Sequence, residues 1–394
     1  MRIGVYLGKY ISPEEGGGAV FQNEVIEELI KQNKSHELYI YYFGKTKPIS
    51  NSSKVTFIQI PSKSLKRFVK RGLNLIKDQI YFLLYGVKES YSFLNDLFIR
   101  DKIQFAYFPT PSYFEETEVP FLFTMWDLGD KVHPSFPETS MKKREFEKRH
   151  FRYSKIIPKA SFVFIGNDVG KNQLAKYYTI DENKIIINPM ITPSYINRID
   201  SDDSILLKFN LEKNKYLFYP AQFWPHKNHI RLIYAMKKLS TEGYKLVLTG
   251  SDKGNTNFIK NKVKEYNLED SIIFTGFVSQ EELASLYKNA FAMTYASIMG
   301  PDNIPPLEAF ALGCPVICAK YDGAEEQLHD AALYFDPYNE NEIVSAVKRL
   351  ADDVLREQLI HREEELAKNY CVENYIQIVL DTLNKASKIR ECWE

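Results

Sequence analysis

The sequence predicts an α/β protein of two doubly wound, Rossmann-like domains that face a central cleft. Short apolar runs rich in β-branched and aromatic residues alternate with longer amphipathic stretches along nearly the whole chain. This alternation is typical of parallel sheets with helices on both faces. The pattern restarts near residue 215 after the irregular stretch 189–214, and 394 residues are too many for one ordinary core.

We place the domain boundary in this irregular stretch. The first domain is predicted over residues 1–200 and the second over residues 211–370, with residues 371–394 forming a helix that packs back on the first domain. Strands are predicted in the first domain at RIGVYLG, ELYIYYFG, KVTFIQI, FAYFPT, FLFTMWD, SFVFIGN and KIIINPM. In the second they are predicted at KYLFYPA, KLVLTGS, SIIFTGF, AFAMTYA, PVICAK and ALYFD. Ligands bind such sheets at the carboxyl ends of the strands, so the loops that follow strands are where functional residues are expected.

Composition excludes several classes of protein. Basic and acidic residues balance at 51 each, which gives no support to nucleic-acid binding. The chain starts with a strand-like run that lacks the apolar core of a signal peptide, and no stretch approaches the roughly 20 apolar residues that span a bilayer. The four cysteines have no zinc-like spacing. We therefore expect reduced thiols and a cytoplasmic location.

A loop of small residues and prolines precedes one short helix in the stretch MGPDNIPPLEAFALGCPVICAKYDGAEE, residues 299–326. Prolines at the first helical positions and Gly313 beyond the end predict a helix of about two turns. Its N-terminus suits a phosphate, with amides from Gly300, Asp302, Asn303 and Ile304. Glu308 is expected in the first turn, where it either accepts two hydroxyls of a ribose or caps the helix; both interpretations stay open.

This stretch resembles the C-terminal signature of the retaining family-4, or group 1, glycosyltransferases, whose two-domain architecture is called GT-B. The family typically has a first Glu that contacts the donor sugar and, after seven residues, a second Glu that binds the nucleotide ribose. PPLEAFALGCPVI matches the second half, and Glu308 takes the position of the second Glu. Gly300 replaces the first Glu, and Asp302 is a nearby carboxylate.

The loop in YPAQFWPHKNH, residues 219–229, is similar to the phosphate-binding stretch of the family. Lys227 matches the family Lys, and Gln222 stands where an Arg is usual. The resemblance implies that Lys227 stabilises the departing diphosphate. From the residue alone, a solvated loop lysine is the alternative. His226 and His229 are expected at a helix start or on the surface.

Two further loops of the second domain match the donor side of the family. In LTGSDKGN the resemblance implies that Gly250 and Ser251 line the donor cleft. In FTGFVSQEELASLYKNA it implies that Phe277 and Val278 pack on the base or bond it through the backbone. An ordinary core position is the alternative for Phe277.

The first domain contributes a glycine loop, PEEGGGAVFQNEVIEEL, that matches the family. Gly17 and Gly18, with the glycine before them, let the backbone approach a diphosphate in front of a helix N-terminus, although a merely flexible loop is the alternative. In NDVGKNQL, Asn167 or Asp168 is expected to cap a helix.

The loop FTMWDLGDKVHPSFPE, residues 123–138, resembles the acceptor side of the family, where His-Asp is frequent. Here the pair is Trp126–Asp127. Trp cannot exchange a proton, so a polar role passes to Asp127, Asp130 or His133. An Asp after a strand is also common as a turn or cap residue.

The resemblance implies a retaining transfer of sugar from a nucleotide-sugar donor to a glycan or lipid-linked oligosaccharide, in synthesis of bacterial surface polysaccharide or lipopolysaccharide. Lys227 and Asp127 are the expected catalytic residues, and no metal or other cofactor is expected. The Trp-Asp-Leu-Gly and Gln-Phe-Trp-Pro-His-Lys-Asn motifs indicate a bacterial subgroup.

Because the usual Glu and Arg are both replaced, a non-catalytic protein that binds glycan or stabilises a partner stays open as an alternative. A different GT-B enzyme, an epimerase or a phosphorylase, is a further alternative.

A basic amphipathic segment is found at residues 62–86, SKSLKRFVKRGLNLIKDQIYFLLYG. Such a helix either lies on an anionic membrane or is an ordinary surface helix with a basic face. The first interpretation predicts a peripheral protein at the inner face of the cytoplasmic membrane.

Overall fold

The computed structural model describes residues 1–9, 17–44, 54–61, 92–140, 145–197, 199–200 and 202–393. Its first sheet has seven parallel strands in the order β3-β2-β1-β4-β5-β6-β7. The strands are β1 (Arg2–Lys9), β2 (Glu37–Phe43), β3 (Val55–Gln59), β4 (Phe105–Phe108), β5 (Phe121–Thr124), β6 (Phe162–Ile165) and β7 (Ile185–Ile187).

The second sheet has six parallel strands in the order β10-β9-β8-β11-β12-β13. They are β8 (Tyr216–Pro220), β9 (Lys245–Thr249), β10 (Ile272–Gly276), β11 (Ala292–Tyr295), β12 (Val316–Ala319) and β13 (Leu333–Phe335). Every run that the sequence predicts as a strand forms one. The predicted α/β class with two doubly wound sheets is therefore confirmed.

Helices cover both sheets. Before the second sheet they are α1 (Gly17–Gln32), α2 (Phe93–Arg100), α3 (Gly129–Val132), α4 (Pro137–Ser140), α5 (Glu145–Ile156), α6 (Asp168–Tyr177) and α7 (Ser204–Lys208). The rest are α8 (His229–Leu239), α9 (Thr256–Glu265), α10 (Gln280–Lys288), α11 (Ile304–Ala311), α12 (Ala324–Leu328), α13 (Glu340–Leu350), α14 (Asp353–Ala367) and α15 (Val372–Arg390). We call the first sheet with its helices the N-lobe and the second sheet with its helices the C-lobe.

Successive residues of a strand pack into separate hydrophobic cores on the two faces of the N-lobe sheet. In β5, Leu122 belongs to one cluster, whereas Phe121 and Phe123 belong to the other. Because helices cover both faces, every position of the strand is buried, and its sequence FLFT has three apolar residues before Thr124. The C-lobe has one large cluster around β8, β9, β11 and β12.

Helix α15 packs on the N-lobe although it follows the C-lobe in sequence. Tyr375, Ile376 and Val379 are buried in the same cluster as Val25 of α1. The hydroxyl of Tyr375 lies 3.5 Å from that of Tyr107 in β4. The polypeptide therefore crosses between the lobes twice.

Among the residues that the structure describes, three carboxylates accept hydrogen bonds from backbone or side chains outside their own lobe. Glu138 accepts from the backbone N–H of His226 at 3.0 Å and contacts its Nδ1 at 2.5 Å. Asp302 accepts from the N–H of Met190 at 2.6 Å. Glu326 accepts from the amides of Asp168 and Val169, at 2.6 and 3.1 Å, at the start of α6. Each acid thus fixes backbone outside its own lobe.

Residues 62–86, the predicted basic amphipathic helix, lie outside the described residues, as does the first glycine of the glycine loop. Among the helices that the structure does describe, none combines the length and apolar character needed to traverse a bilayer.

Candidate active site

The loops that follow β5, β11 and β12 meet between the lobes. They line a recess that we call the cleft recess, with Asp127, Gly129, His133, Met299, Gly300 and Asp322 in its wall. The lobes approach closely here, since a Cβ on Gly129 would lie 3.0 Å from the Met299 Sδ. This is the carboxyl edge of both sheets, where a ligand of a doubly wound protein is expected.

Lys227 ends a 3-10 turn, Pro225–Lys227, that follows β8. Its Nζ donates hydrogen bonds to the Tyr295 hydroxyl at 2.8 Å and the Ser297 hydroxyl at 3.4 Å. Burial lowers the pKa of Lys227 to about 8, although the negative charge of Asp127 acts to raise it. Among the described residues no carboxylate forms an ion pair with it. Lys227 is therefore an organised, partly buried cation and not a solvated loop lysine.

Glu308 is the fifth residue of α11, which begins at Ile304. The expectation that it lies in the first turn is therefore wrong: Pro305 and Pro306 occupy that turn, where a missing N–H costs nothing. The carboxylate is 9% exposed and accepts a hydrogen bond from the Tyr287 hydroxyl at 2.8 Å. Capping of the helix N-terminus is excluded, since Asn303 is the residue that precedes α11.

The loop before α11 is held by its own hydrogen bonds. The N–H of Asn303 donates to Gln327 at 3.1 Å, so this amide does not face the cleft as expected. The Asn303 side chain accepts from the Tyr295 hydroxyl at 2.7 Å and donates to the carbonyl of Gly300 at 2.8 Å. Ile304, at the helix start, is half-buried and packs against the N-lobe core.

Gly300 occupies the position where the resemblance places a glutamate. Its φ is +110°, and a Cβ there would lie 2.9 Å from the Asn303 Oδ1. Only glycine adopts such a backbone without strain. Asp302 does not take over the missing role in the recess, because it is 8% exposed and turned toward Met190 and Gln327. Burial raises the pKa of Asp302 to about 7.

Residues of two further C-lobe loops lie at the carboxyl edge of the same sheet. Gln222 is exposed and accepts from the Trp224 indole at 3.0 Å. Gly250 follows β9, and a Cβ on it would lie 2.4 Å from the carbonyl oxygen of Ala221, so the two loops touch through backbone. Ser251 is exposed, and its carbonyl accepts from the Phe223 N–H at 3.0 Å.

Phe277 and Val278 follow β10 and differ in exposure. Phe277 is 71% exposed, so the core interpretation of this residue is wrong, whereas Val278 is 9% exposed and belongs to the C-lobe core. A large exposed ring at the carboxyl edge of the C-lobe sheet can stack on a planar group.

The glycine loop meets the tryptophan that replaces the family histidine. Helix α1 begins at Gly17, and a Cβ on Gly18 would lie 3.2 Å from the Trp126 ring. The ring also packs edge-on against Phe21, with centroids 5.8 Å apart. Trp126 thus has a packing role, and its buried Nε1 makes no hydrogen bond with any described residue.

Arg149 of α5 organises the loop at residues 123–138, a role that the sequence alone does not predict. Its Nη2 donates to the Asp127 Oδ1 at 2.9 Å and to the Asp127 carbonyl at 3.1 Å. The Gly129 amide donates to the same Oδ1 at 2.8 Å. Burial acts to raise the pKa of Asp127. The charge of Arg149 and the hydrogen bond from the Gly129 amide have the larger combined effect, so the pKa is lowered. Asp127 therefore lines the recess as a fixed, ionised carboxylate.

Asp130 lies behind this pair. It is 1% exposed, and its Oδ1 lies 3.1 Å from the Arg149 Nε. Burial raises the pKa of Asp130, with Arg149 opposing. Asp130 is a buried partner of Arg149 and does not line the cleft recess, whereas His133 does.

The two histidines beside Lys227 differ in environment. His226 pairs with Glu138 across the lobes, and burial lowers the pKa of this histidine despite Glu138. His229 begins α8 as expected, but it is fully buried and stacks on Phe223 with centroids 4.4 Å apart. Burial lowers the pKa of His229 to about 3, so it is neutral. A surface position for His229 is thus wrong.

The N-terminus of α6 is capped as expected, since Asn167 accepts from the Gly170 amide at 2.9 Å. Its Nδ2 also donates to the Pro301 carbonyl of the other lobe at 2.5 Å. Within the described ranges, no group of three or more His, Cys, Asp and Glu side chains could hold a metal ion.

One known protein family matches part of the chain. Residues 203–366 match the family described as glycosyl transferases group 1. The chain is 30% identical over 238 residues to the O-antigen chain mannosyltransferase RfbU of Salmonella typhimurium, covering 59% of this chain and 63% of that protein. It is 28% identical over 225 residues to O-antigen chain mannosyltransferase B of Escherichia coli, covering 55% and 59%. The chain thus matches less than two thirds of the length of these relatives.

The fold is shared over the full length of a solved protein. The crystal structure of a glycosyltransferase from Rickettsia africae superposes with a TM-score of 0.67 at 16% identity, covering 98% of both chains. At this identity the likeness concerns the fold. The family match lies in the C-lobe, which holds Lys227 and Glu308. Residues 203–366 therefore match the group 1 glycosyltransferase family, within a chain that has the two-lobed GT-B fold.

Proposed function

We propose that this protein transfers a sugar from a nucleotide-sugar donor to a glycan or lipid-linked oligosaccharide, with retention of anomeric configuration, in the synthesis of bacterial surface polysaccharide. One observation carries the proposal. Lys227 places an ammonium group at the carboxyl edge of the C-lobe sheet, hydrogen-bonded to Tyr295 and Ser297 and with no ion-paired carboxylate among the described residues.

A cation in this position suits the chemistry of a departing nucleoside diphosphate. Cleavage of the sugar–phosphate bond leaves negative charge on the diphosphate, and a fixed ammonium stabilises that charge more in the transition state than in the ground state. The pKa of about 8 leaves Lys227 mostly protonated at neutral pH, and an arriving diphosphate raises the pKa further. In this scheme no metal ion or other cofactor is required.

Glu308 and the N-lobe carboxylate complete the arrangement. The Glu308 carboxylate follows the loop after β11 and would accept the hydroxyls of the nucleotide ribose. Asp127, held ionised by Arg149, would orient a sugar hydroxyl in the cleft recess. The acceptor hydroxyl would pass its proton to the departing diphosphate on the same face, so Asp127 acts by orientation.

The relatives give a first choice of transferred sugar. The similar proteins of Salmonella and Escherichia coli are named O-antigen chain mannosyltransferases, which favours a mannosyl donor and a polysaccharide acceptor. The Trp-Asp-Leu-Gly and Gln-Phe-Trp-Pro-His-Lys-Asn motifs would then belong to the acceptor and donor loops of one bacterial subgroup.

The test combines binding with turnover. A thermal-shift screen against GDP-mannose, UDP-glucose and dTDP-rhamnose should raise the melting temperature with at least one of them, because ligand binding to the folded state stabilises it by mass action. With that donor, Lys227→Ala should lower kcat at least about a hundredfold. The control is Lys348→Ala, which removes an exposed lysine paired with Glu242. Equal turnover by wild type and Lys227→Ala would refute the mechanism.

A non-catalytic role is the second candidate, because Gly300 and Gln222 replace the Glu and Arg of the resemblance. It predicts that a nucleotide sugar or glycan raises the melting temperature while neither hydrolysis nor transfer is detected with any donor. Measured transfer to a lipid-linked acceptor would exclude it.

Peripheral contact with an anionic membrane is proposed from the sequence of residues 62–86. Flotation with vesicles that contain phosphatidylglycerol at low salt should carry the protein upward, and neutral phosphatidylcholine vesicles should not. Equal flotation with both, or none with either, would reject this contact.

A further inference from the structure

The cleft recess contains a second carboxylate, Asp322, to which the resemblance assigns no role. Asp322 follows β12 and lines the recess together with Gly300 and Asp127. Its neighbour Gly323 has a φ of +97°, and a Cβ there would lie 2.4 Å from the Pro301 carbonyl oxygen. The turn that carries Asp322 therefore packs directly on the loop that carries Gly300.

Position 300 itself and two neighbouring acids among the described C-lobe residues do not supply this carboxylate. Gly300 has a backbone that disfavours any side chain. Asp302 is buried in contacts with Met190 and Gln327. Glu326 is used at the start of α6.

Asp322 differs from these acids in being available to a ligand. It is exposed and makes no hydrogen bond or ion pair with any residue in the described part of the chain. The other carboxylate of the recess, Asp127, is already held by Arg149 and the Gly129 amide. An ionised carboxylate can accept from two neighbouring hydroxyls of a sugar ring, and such charged hydrogen bonds are stronger than neutral ones.

We propose that Asp322 binds the hydroxyls of the donor sugar, taking the place of the glutamate absent at position 300 and thereby selecting the sugar. This inference rests on the function proposed above and names a specificity-determining residue for it. In this proposal the loop after β12 supplies the carboxylate, whereas in the family the loop after β11 supplies it. The sugar would thus be held between Asp322 and the N-lobe loop that carries Asp127 and His133.

Calorimetric titration separates binding of the sugar from binding of the nucleotide. The wild type and Asp322→Asn are titrated with GDP-mannose and with GDP, and with the corresponding uridine compounds if the guanosine pair does not bind. Asp322→Asn should weaken binding of the nucleotide sugar about tenfold or more, because charged hydrogen bonds to hydroxyls are lost. Its affinity for the bare nucleoside diphosphate should stay within twofold of the wild type.

Glu325→Gln is the matched control, since it removes an equal charge from an exposed acid that pairs with Lys320 and is not among the residues of the recess. It should leave both affinities unchanged. If Asp322→Asn binds the nucleotide sugar as tightly as the wild type, the assignment of Asp322 fails while the proposed function stands. If the wild type binds none of these compounds, the proposed function fails and the assignment fails with it.

Discussion

The Arg149 guanidinium joins two carboxylates of the loop at residues 123–138, with its Nη2 2.9 Å from the Asp127 Oδ1 and its Nε 3.1 Å from the Asp130 Oδ1. Asp127 lines the cleft recess, whereas Asp130 is buried behind it. One side chain of α5 therefore sets both the position and the charge of the recess carboxylate.

Replacement of Arg149 by Met should change the pH dependence of turnover as well as its rate. Arg149 lowers the pKa of Asp127, so without it that pKa rises, and activity that needs the ionised form is lost at a higher pH. The acid limb of the kcat/KM profile should move upward. Arg149→Lys should restore part of the shift, since it keeps a charge without the planar guanidinium that reaches both carboxylates.

The same variant should be less stable, by about 3 kcal/mol, since it leaves Asp130 buried without its charged partner. Urea unfolding measures this loss. Arg152→Met is the control, because Arg152 is exposed on the same helix. An unmoved acid limb in Arg149→Met would show that Arg149 does not tune Asp127.

Glu363 gives a prediction about stability alone. This residue of α14 is fully buried and accepts from the Val316 amide at 2.9 Å at the start of β12. Burial raises its pKa well above the usual value, so the folded protein holds a proton that the unfolded chain releases. The contribution of Glu363 to the free energy of unfolding is complete below the pKa that this residue has in the unfolded chain. The contribution is lost as the pH rises toward and through the higher pKa of the folded protein.

Glu363→Gln should therefore gain stability relative to the wild type as pH rises from about 4.5 to 8, by at most about 1.4 kcal/mol per pH unit. Chemical denaturation at several pH values measures the difference. Glu364→Gln, at an exposed neighbour, should show no such trend. A constant difference between Glu363→Gln and wild type would contradict a protonated Glu363.

Glu326 should hold the lobes together. It accepts two backbone amides at the start of α6 from across the cleft. Glu326→Ala removes these charge-assisted bonds, each worth about 1.5–3 kcal/mol, and should favour a more open arrangement. Small-angle scattering should give a larger radius of gyration than for Glu325→Ala or wild type. An unchanged radius would mean that other contacts between the lobes suffice.

Replacing Gly300 with the glutamate that is usual in the family should destabilise the loop. With φ at +110° and its Cβ position 2.9 Å from the Asn303 Oδ1, a side chain strains the loop by about 1–3 kcal/mol. Gly300→Glu should thus lower both the melting temperature and the activity. Gly313→Ala is a useful comparison, since its φ is also positive but its Cβ would meet nothing within 4 Å. Higher activity in Gly300→Glu would show that the loop adapts.

The sequence was sufficient to predict the strands and the class of fold. Both faces of each sheet are covered, so runs such as FLF in β5 and VICA in β12 are apolar throughout and stand out from the helices between them. The loops after those strands were correctly placed at the cleft, because the carboxyl ends of parallel strands share one edge.

Side-chain environment was harder to predict. Arg149 lies in the basic run KKREFEKRHFRYSK, and only the helical register of α5 distinguishes it from its neighbours. His229 was expected at a helix start or on the surface, but its stacking on Phe223 depends on the path of the preceding loop. The position of Glu308 in its helix depended on whether the helix began at Ile304 or later. These features are tertiary and leave no mark on local composition.

The two crossings between the lobes run side by side. Thr192 on the first crossing donates its N–H to the Tyr370 carbonyl on the second, at 2.7 Å. Asn188 reaches past it to the Tyr375 carbonyl at 3.4 Å. The lobes are thus joined by two neighbouring polypeptide segments that are hydrogen-bonded to each other. Cutting the polypeptide in the first crossing would accordingly leave the lobes tethered.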